Sequence, residues 1–438
     1  MKRDDYLWVD TFIKNIRPYV FVRPEDGVLI KKPNEAQKLN ETGVAILQFL
    51  LEGNSIEKLF SNKVFDDNKK RETIDFIIAV KDSLEGKLEF GTCNPSVEKR
   101  AFEAPFSFLP VLSELALTSR CNLKCSFCYA GINCTVKETT KDLSVKELKT
   151  LIFKIRHEAK VPSVSFTGGE PTLRKEIFEL ISYAKKQDMR VNLISNGTQI
   201  NADFAQKLRR VGLDTAQVSI EAPTAALHDE ICGVKGSFDK ACAAIKALQN
   251  EGIRVHGNTT LSAQNRTVAK DLPSFYKQMG MERFSMNLVI PVGSVMEHLQ
   301  IKLTYKEVSA VIQEVIDESK KINIQFMWYS PVPLRLFNPI TAGLGNKGCA
   351  ACDGLLSVDS QGNILPCSSW NEPVGNLLKN SFSEIWTNAR SMHIRNKKEA
   401  PAECAGCDSF QVCQGACPLY WNVFGTKDLN EYCKIMNQ

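Results

Sequence analysis

The stretch SELALTSRCNLKCSFCYAG, residues 113–131, decides the fold. Its first half, SELALT, reads as a short strand. Cys121, Cys125 and Cys128 follow on one loop, with three and then two residues between them. Structural zinc takes four protein ligands, commonly as two separated pairs, and a fully protein-ligated iron-sulfur cube takes four cysteines. Three thiolates on one loop would leave one iron of a cube open, and an open iron is a place to bind a substrate. A strand that runs into such a loop puts chemistry at the carboxyl edge of a sheet.

The chain beyond this loop keeps the same rhythm. Strand-like runs recur at SVSFTGG (163–169), RVNLISNG (190–197), TAQVSIEA (215–222), RVHGNTTLS (254–262) and RFSMNLVI (283–290). Helical patterns lie between them, the clearest being SVKELKTLIFKIRHEA (144–159). There Ser144 and Glu147 form a capping box, and Leu148, Leu151, Ile152 and Ile155 share one face. Six such alternations imply an α/β fold with a parallel sheet, either wound open or curled into a partial barrel. In both cases ligands gather where strands end. The second strand ends on Gly168, Gly169 and Glu170, which combine close backbone approach with a carboxylate. The third ends on Ser195, Asn196 and Gly197, and the fourth on Ser219 and Glu221.

With these motifs the sequence resembles the radical S-adenosylmethionine enzymes: the Cys-x3-Cys-x2-Cys loop has Phe127 before its last cysteine, and Gly-Gly-Glu follows some 40 residues on. The resemblance implies a partial (β/α)6 TIM-like barrel over 111–320. It also implies that Cys121, Cys125 and Cys128 hold a 4Fe-4S cluster whose fourth iron chelates S-adenosylmethionine. Gly168, Gly169 and Glu170 would meet the methionyl amino group. Ser195 and Ser219, with Glu221 or Asn196, would meet the carboxylate or ribose, and Phe127 and Leu261 would border the adenine. The run HDEICGVKGSF (228–238) has Cys232 where that family often carries arginine.

Fifteen cysteines are too many to be incidental, and eight of them lie between Cys349 and Cys433. Without a signal-peptide core in MKRDDYLWVD, the expected compartment is the reducing cytoplasm, where such clusters bind metal more often than they form disulfides. Residues 346–438 read as a metal-centred domain after a bridging segment at 321–345. Gly362-x4-Cys367 and Cys404-x2-Cys407-x5-Cys413-x3-Cys417 resemble the SPASM extension of peptide-modifying radical enzymes. That resemblance assigns Cys349, Cys367 and Cys417 to a first auxiliary 4Fe-4S cluster, with Cys352 as fourth ligand. Cys404, Cys407, Cys413 and Cys433 fall to a second. Cys93, Cys134, Cys232 and Cys242 read as isolated thiols.

Residues 1–90 form a further unit, joined by a linker at 91–110. YVFVRPEDGVLIKK (19–32) alternates around a Pro-Glu-Asp-Gly turn and signals a hairpin. Three helical segments follow: one after Asn40 that carries Ile46, Leu47, Leu50 and Leu51, a short one from Ser55, and one through Ile74, Ile77 and Ile78. This winged-helix-like pattern resembles the PqqD-like domains that bind precursor peptides. The resemblance places a leader peptide on the sheet edge near residues 28–39, beside Lys31 and Lys32.

At 43% hydrophobic and 24% charged residues the chain is of globular composition. A net charge of +5 over 438 residues calls for no nucleic-acid partner, and no apolar run is long enough to span a membrane. Together the resemblances imply an oxidoreductase that matures a ribosomal precursor peptide by an oxidative C–C or thioether crosslink. Its cofactors would be three 4Fe-4S clusters and S-adenosylmethionine, with flavodoxin or ferredoxin as electron donor. The alternatives are a radical oxidase of a protein side chain, as in sulfatase maturation, or of a tetrapyrrole, and outside enzymes an iron-sulfur electron carrier. Asp353 and Glu372 are the carboxylates in the cluster region that could take up a proton.

Overall fold

The computed structural model describes residues 5–33, 35–87, 107–131, 141–427, 429 and 431. Cys93, Cys134 and Cys433 lie outside the described residues, as does most of the 91–110 linker. The chain divides into two compact units, Met1–Val111 and Leu112–Gln438.

In the first unit helix α1 (Trp8–Ile16) precedes β1 (Val20–Arg23), β2 (Val28–Lys31) and β3 (Glu35–Lys38), which form an antiparallel sheet in that order. The hairpin expected at Pro24–Gly27 is the β1–β2 connection. Helices α2 (Glu41–Leu51), α3 (Ile56–Phe60) and α4 (Asp67–Leu84) follow, and Asn40, Ser55 and Asp66 each accept a backbone N–H at their N-termini. Such caps contribute about 1 kcal/mol apiece. Val9, Ile13, Leu29, Leu47, Leu50, Ile56 and Ile77 meet in the core, whereas Ile78 is exposed. Lys31 is not left for a partner: its Nζ pairs with Glu35 at 3.0 Å and donates to the carbonyl of Leu84 at 3.0 Å.

The second unit is built on parallel strands β4 (Leu112–Ala116), β5 (Ser163–Thr167), β6 (Arg190–Ser195), β7 (Thr215–Ser219), β8 (Arg254–Leu261) and β9 (Arg283–Leu288). These are the six expected strands. A seventh parallel strand, β10 (Gln325–Trp328), pairs with β9 inside the segment read as a bridge. Helices α5 (Val145–His157), α6 (Ile177–Lys186), α7 (Ala202–Arg210), α8 (Ala225–Cys232), α9 (Ser237–Asn250), α10 (Leu272–Gln278) and α11 (Tyr305–Lys321) lie between strands. The Ser144–Glu147 capping box opens α5, and Leu148, Leu151, Ile152 and Ile155 are its buried face. At the other edge β11 (Leu355–Val358) runs parallel to β4, followed by antiparallel β12 (Asn363–Leu365) and β13 (Gly375–Asn376). The cysteine-rich C-terminal region thus shares one sheet with the barrel and ends in four short helices, α12 (Phe382–Trp386), α13 (Ala389–Arg395), α14 (Phe410–Cys413) and α15 (Pro418–Phe424). Among the described residues no helix is long and apolar enough to cross a membrane.

Parallel strands normally bury apolar side chains on both faces. Here only the outer face obeys, with Val191, Leu193, Val218, Phe284 and Met286 buried. The inner face carries a cross-strand ladder of polar side chains. Asn192 donates to Ser165 at 3.2 Å, Thr215 to Asn192 at 2.7 Å, Asn258 to Asn287 at 2.8 Å and Ser285 to Asn258 at 2.8 Å, while His256 bonds Gln217 at 3.1 Å.

Candidate active site

Three struts hold the cysteine loop that follows β4. The N–H groups of Lys124 and Ser126 donate to the carbonyls of Cys232 and Ile231 at the end of α8, at 2.9 and 3.1 Å. Ser126 Oγ donates to Gln264 Oε1 at 2.8 Å. The loop after β9 closes the far side, where Ser294 N–H donates to the carbonyl of Cys128 at 2.9 Å. Gly293 is required there: φ is +58° and a Cβ would lie 2.3 Å from that same carbonyl oxygen.

Glu170 organises the neighbouring strand ends. Oε1 accepts from Thr172 N–H (3.0 Å), Thr172 Oγ1 (2.5 Å) and Ser195 Oγ (2.8 Å), and Oε2 accepts from Asn196 N–H (2.8 Å). Burial nevertheless raises its carboxyl above the ordinary range, against the lowering effect of these bonds. Gly168 adopts φ +134° and packs so closely on β4 that a Cβ would sit 2.4 Å from Thr118 O, and Gly169 N–H donates to that oxygen. Asn196 reaches the cysteine loop, with Nδ2 3.9 Å from Cys121 Sγ and 2.9 Å from Asn122 Oδ1. Ser219 stands half-buried on the inner face at the end of β7, and Phe127 is half-buried on the loop. Leu261 is fully buried and shares the face of Thr259, which bonds Tyr276 of α10. Glu221 is buried, accepts from Thr260 N–H at 2.8 Å, and is pushed up to about 8 by burial.

Cys232, read as an isolated thiol, is buried in hydrogen-bonding contact with Cys125, with His228 Nε2 3.5 Å away on its other side. A neutral thiol thus stands where that family often carries arginine.

The donor sets suit iron-sulfur clusters. N–H groups point at sulfur throughout: Leu123 at Cys121 (3.4 Å), Leu334 at Cys413 (3.5 Å), Ser369 at Cys367, and Leu419 and Tyr420 at Cys417. Burial pushes Cys121 up to about 11 and Cys417 up to about 12, the expected state of crowded thiols that a metal would deprotonate. Cys349, Cys367 and Cys417 come within electrostatic reach of one another although up to 68 residues separate them in sequence. Cys352 is buried in a left-handed backbone conformation (φ +50°); its thiol bonds Ser391 and its carbonyl accepts from Arg395 Nε at 2.7 Å. Cys404, Cys407 and Cys413 line one cavity with Pro333, Leu334 and Arg335.

Neither carboxylate proposed from sequence is free. Asp353 pairs with Lys397 at 2.9 Å, and exposed Glu372 with Arg390 at 3.1 Å. The carboxyl on the inner, chamber-facing side of the barrel is that of half-buried Glu114 of β4, raised by desolvation and bonded to Ser357 and Ser368. It stands within electrostatic range of both Tyr129, next to Cys128, and Cys367. Its two-residue offset from Ala116 on the inner face was the available signal.

Residues 115–265 match the family model of the radical SAM superfamily, and residues 349–408 that of the SPASM iron-sulfur cluster-binding domain. The chain is 28% identical to an AdoMet-dependent heme synthase of Oleidesulfovibrio alaskensis over 68% of this chain and 80% of that protein. It is 25% identical to the sporulation killing factor maturation protein SkfB of Bacillus subtilis, over 66% of this chain and 68% of that protein. Its fold matches Streptococcus suis SuiB bound to precursor peptide SuiA with a TM-score of 0.69 at 20% identity, covering 94% of this chain and 96% of that one. The cysteine loop and the Glu170-centred rim lie on or beside residues 115–265, which thus carry a radical SAM domain, and residues 349–408 carry a SPASM iron-sulfur cluster-binding domain.

Proposed function

We propose that this enzyme is a peptide maturase that binds a precursor's leader on its first unit and installs an oxidative C–C or thioether crosslink in the core segment. The observation that carries this reading is the first unit itself. Among the described residues strand β3 ends a three-stranded sheet, so its outer edge is a template for one more strand. The fold match to peptide-bound SuiB over 94% of the chain takes this unit in, since the second unit alone is too short to account for it.

Cys121, Cys125 and Cys128 would hold the cluster that binds S-adenosylmethionine, and together these supply a 5′-deoxyadenosyl radical able to abstract hydrogen from an unactivated carbon. The protein's part is aim and proton management. Glu170 fixes the rim to which Asn196 and Ser219 belong, and the struts on Lys124 and Ser126 fix the loop. Glu114 would take the proton released when the crosslink forms, a role supported by its raised carboxyl on the inner face near the first auxiliary cysteines. Cys349, Cys367 and Cys417, with Cys352, and Cys404, Cys407 and Cys413, with Cys433, would hold auxiliary clusters that carry the electron away.

The 28% identity to heme synthases supports a second reading, oxidation of a tetrapyrrole. One assay separates them. The anaerobically reconstituted enzyme receives S-adenosylmethionine, a reductant and either the short peptides encoded beside its gene or a porphyrin, and 5′-deoxyadenosine and product masses are measured. Peptide-stimulated cleavage with a loss of two hydrogens supports the maturase; porphyrin-stimulated cleavage with an oxidised porphyrin product overturns it.

A further inference from the structure

Strands β6, β8 and β9 each begin with arginine: Arg190, Arg254 and Arg283. All three lie on the inner face, because each is two residues from a member of the polar ladder: Asn192, His256 and Ser285 respectively. Strand register sets Arg254 opposite Thr215, and Phe284, the residue after Arg283, opposite Gly257, the residue after His256. The three therefore ring the amino-terminal mouth of the chamber, opposite the rim that carries the cysteines. Arg190 and Arg283 are half-buried and Arg254 is exposed.

Like charges gathered this way need a counter-charge. Burial lowers Arg190, Asp214 partly restores it, and Arg254 and Arg283 lower it further. Asp214 is already engaged by Lys185 Nζ and Val191 N–H, both at 2.7 Å. Among the described residues none of the three guanidinium groups has an ion-pair or hydrogen-bond partner. His256 stands among them and is pushed down to about 4 by burial and by Arg283 and Arg190, so it stays neutral and offers no relief. An arginine that only neutralised a helix carboxyl terminus would face outward toward the helices, and these face inward.

We propose that Arg190, Arg254 and Arg283 form a carboxylate-binding subsite that anchors an acidic group of the substrate at the mouth opposite the cysteine rim. Guanidinium groups bind carboxylates in forked pairs, and a half-buried setting strengthens each pair. From Arg190 to Asn196 the strand runs about 20 Å, at roughly 3.3 Å per residue. An extended peptide covers that span with about six residues, so the anchor would be an Asp or Glu about six positions from the reacting residue. This deepens the peptide reading of the same site. The same chemistry would also hold the carboxylates of a porphyrin.

The test measures binding to the reconstituted full chain by fluorescence anisotropy, with fluorescein-labelled hexaglutamate and hexaglutamine, and by absorbance with a tetracarboxylate porphyrin. Hexaglutamate should bind more tightly than hexaglutamine, and the Arg190→Gln/Arg283→Gln variant should lose roughly tenfold or more of that affinity. The Arg190→Lys/Arg283→Lys variant should recover part of it, with both proteins showing the wild-type thermal midpoint. Porphyrin binding that falls in the Gln variant, with no preference between the peptides, would keep the subsite and overturn the peptide reading. Equal binding of all probes, or affinities unmoved in the Gln variant, would overturn the subsite whatever the crosslinking assay shows.

Discussion

Ser195 Oγ donates a 2.8 Å hydrogen bond to Oε1 of Glu170, across the gap between the ends of β6 and β5. The same serine oxygen accepts from Gly197 N–H at 2.9 Å. Two residues expected to touch S-adenosylmethionine thus first hold each other, and through Asn196 they hold the side chain that faces Cys121. Replacing Glu170 by alanine strands four donors in a buried place. Glu170→Ala should cost about 3 kcal/mol of stability and weaken S-adenosylmethionine binding. Denaturant unfolding and calorimetry read both, and an unchanged unfolding midpoint would remove Glu170 from this structural role.

Glu221 gives a pH signature. Its carboxyl is held near 8 in the fold by burial, against an ordinary value of 4.5. A raised folded value means that the folded state keeps a proton the unfolded state releases. The contribution is therefore fully present below about 4.5 and is lost as pH rises through about 8. Over that window the wild type should lose a few kcal/mol, roughly 4, relative to Glu221→Gln, which has no proton to release. Urea titrations without S-adenosylmethionine at pH 5, 7 and 9 test this; parallel pH profiles for the two proteins would show that Glu221 is ionised throughout.

How far the sequence could be read depends on the range of each signal. Capping at Ser144 and Glu147 and the six strand runs are local, and they stand where periodicity placed them. Strand β3 has the sequence EAQK, with no apolar alternation, and becomes a strand only by pairing with β2. Strand β10 follows the last long helix, where a six-strand pattern had already closed. Glu114 and the three arginines were visible as letters, but their meaning depends on which face of a curved sheet they occupy. Cys232 was legible as a departure from the family, and only folding brings it to Cys125.

The cysteine loop and the group of Cys404, Cys407 and Cys413 should separate by function. Cys125→Ala removes a ligand from the loop held by Lys124 and Ser126, and should abolish 5′-deoxyadenosine formation while lowering iron content by about four per chain. Cys413→Ala touches only the cavity formed with Cys404 and Cys407, and should keep part of the uncoupled cleavage while losing product. Iron analysis, electron paramagnetic resonance and 5′-deoxyadenosine yield distinguish them. Cleavage that survives Cys125→Ala would refute the cluster assignment.

Glu114 should separate radical formation from completion of the reaction. Its carboxyl lies half-buried on the inner face, bonded to Ser357 and Ser368, and neither of these serines belongs to the loop of Cys121, Cys125 and Cys128. Glu114→Gln keeps the size and one hydrogen-bond acceptor but cannot take up a proton. Substrate-stimulated 5′-deoxyadenosine should therefore persist within a few-fold, whereas crosslinked product should fall about 100-fold or more, the usual scale for losing a positioned base. Glu114→Asp withdraws the carboxylate by one methylene and should recover part of the product yield, which a purely structural role would not predict. If Glu114→Gln forms product at the wild-type rate, the proton leaves by another route and Glu114 only fills the wall of the chamber.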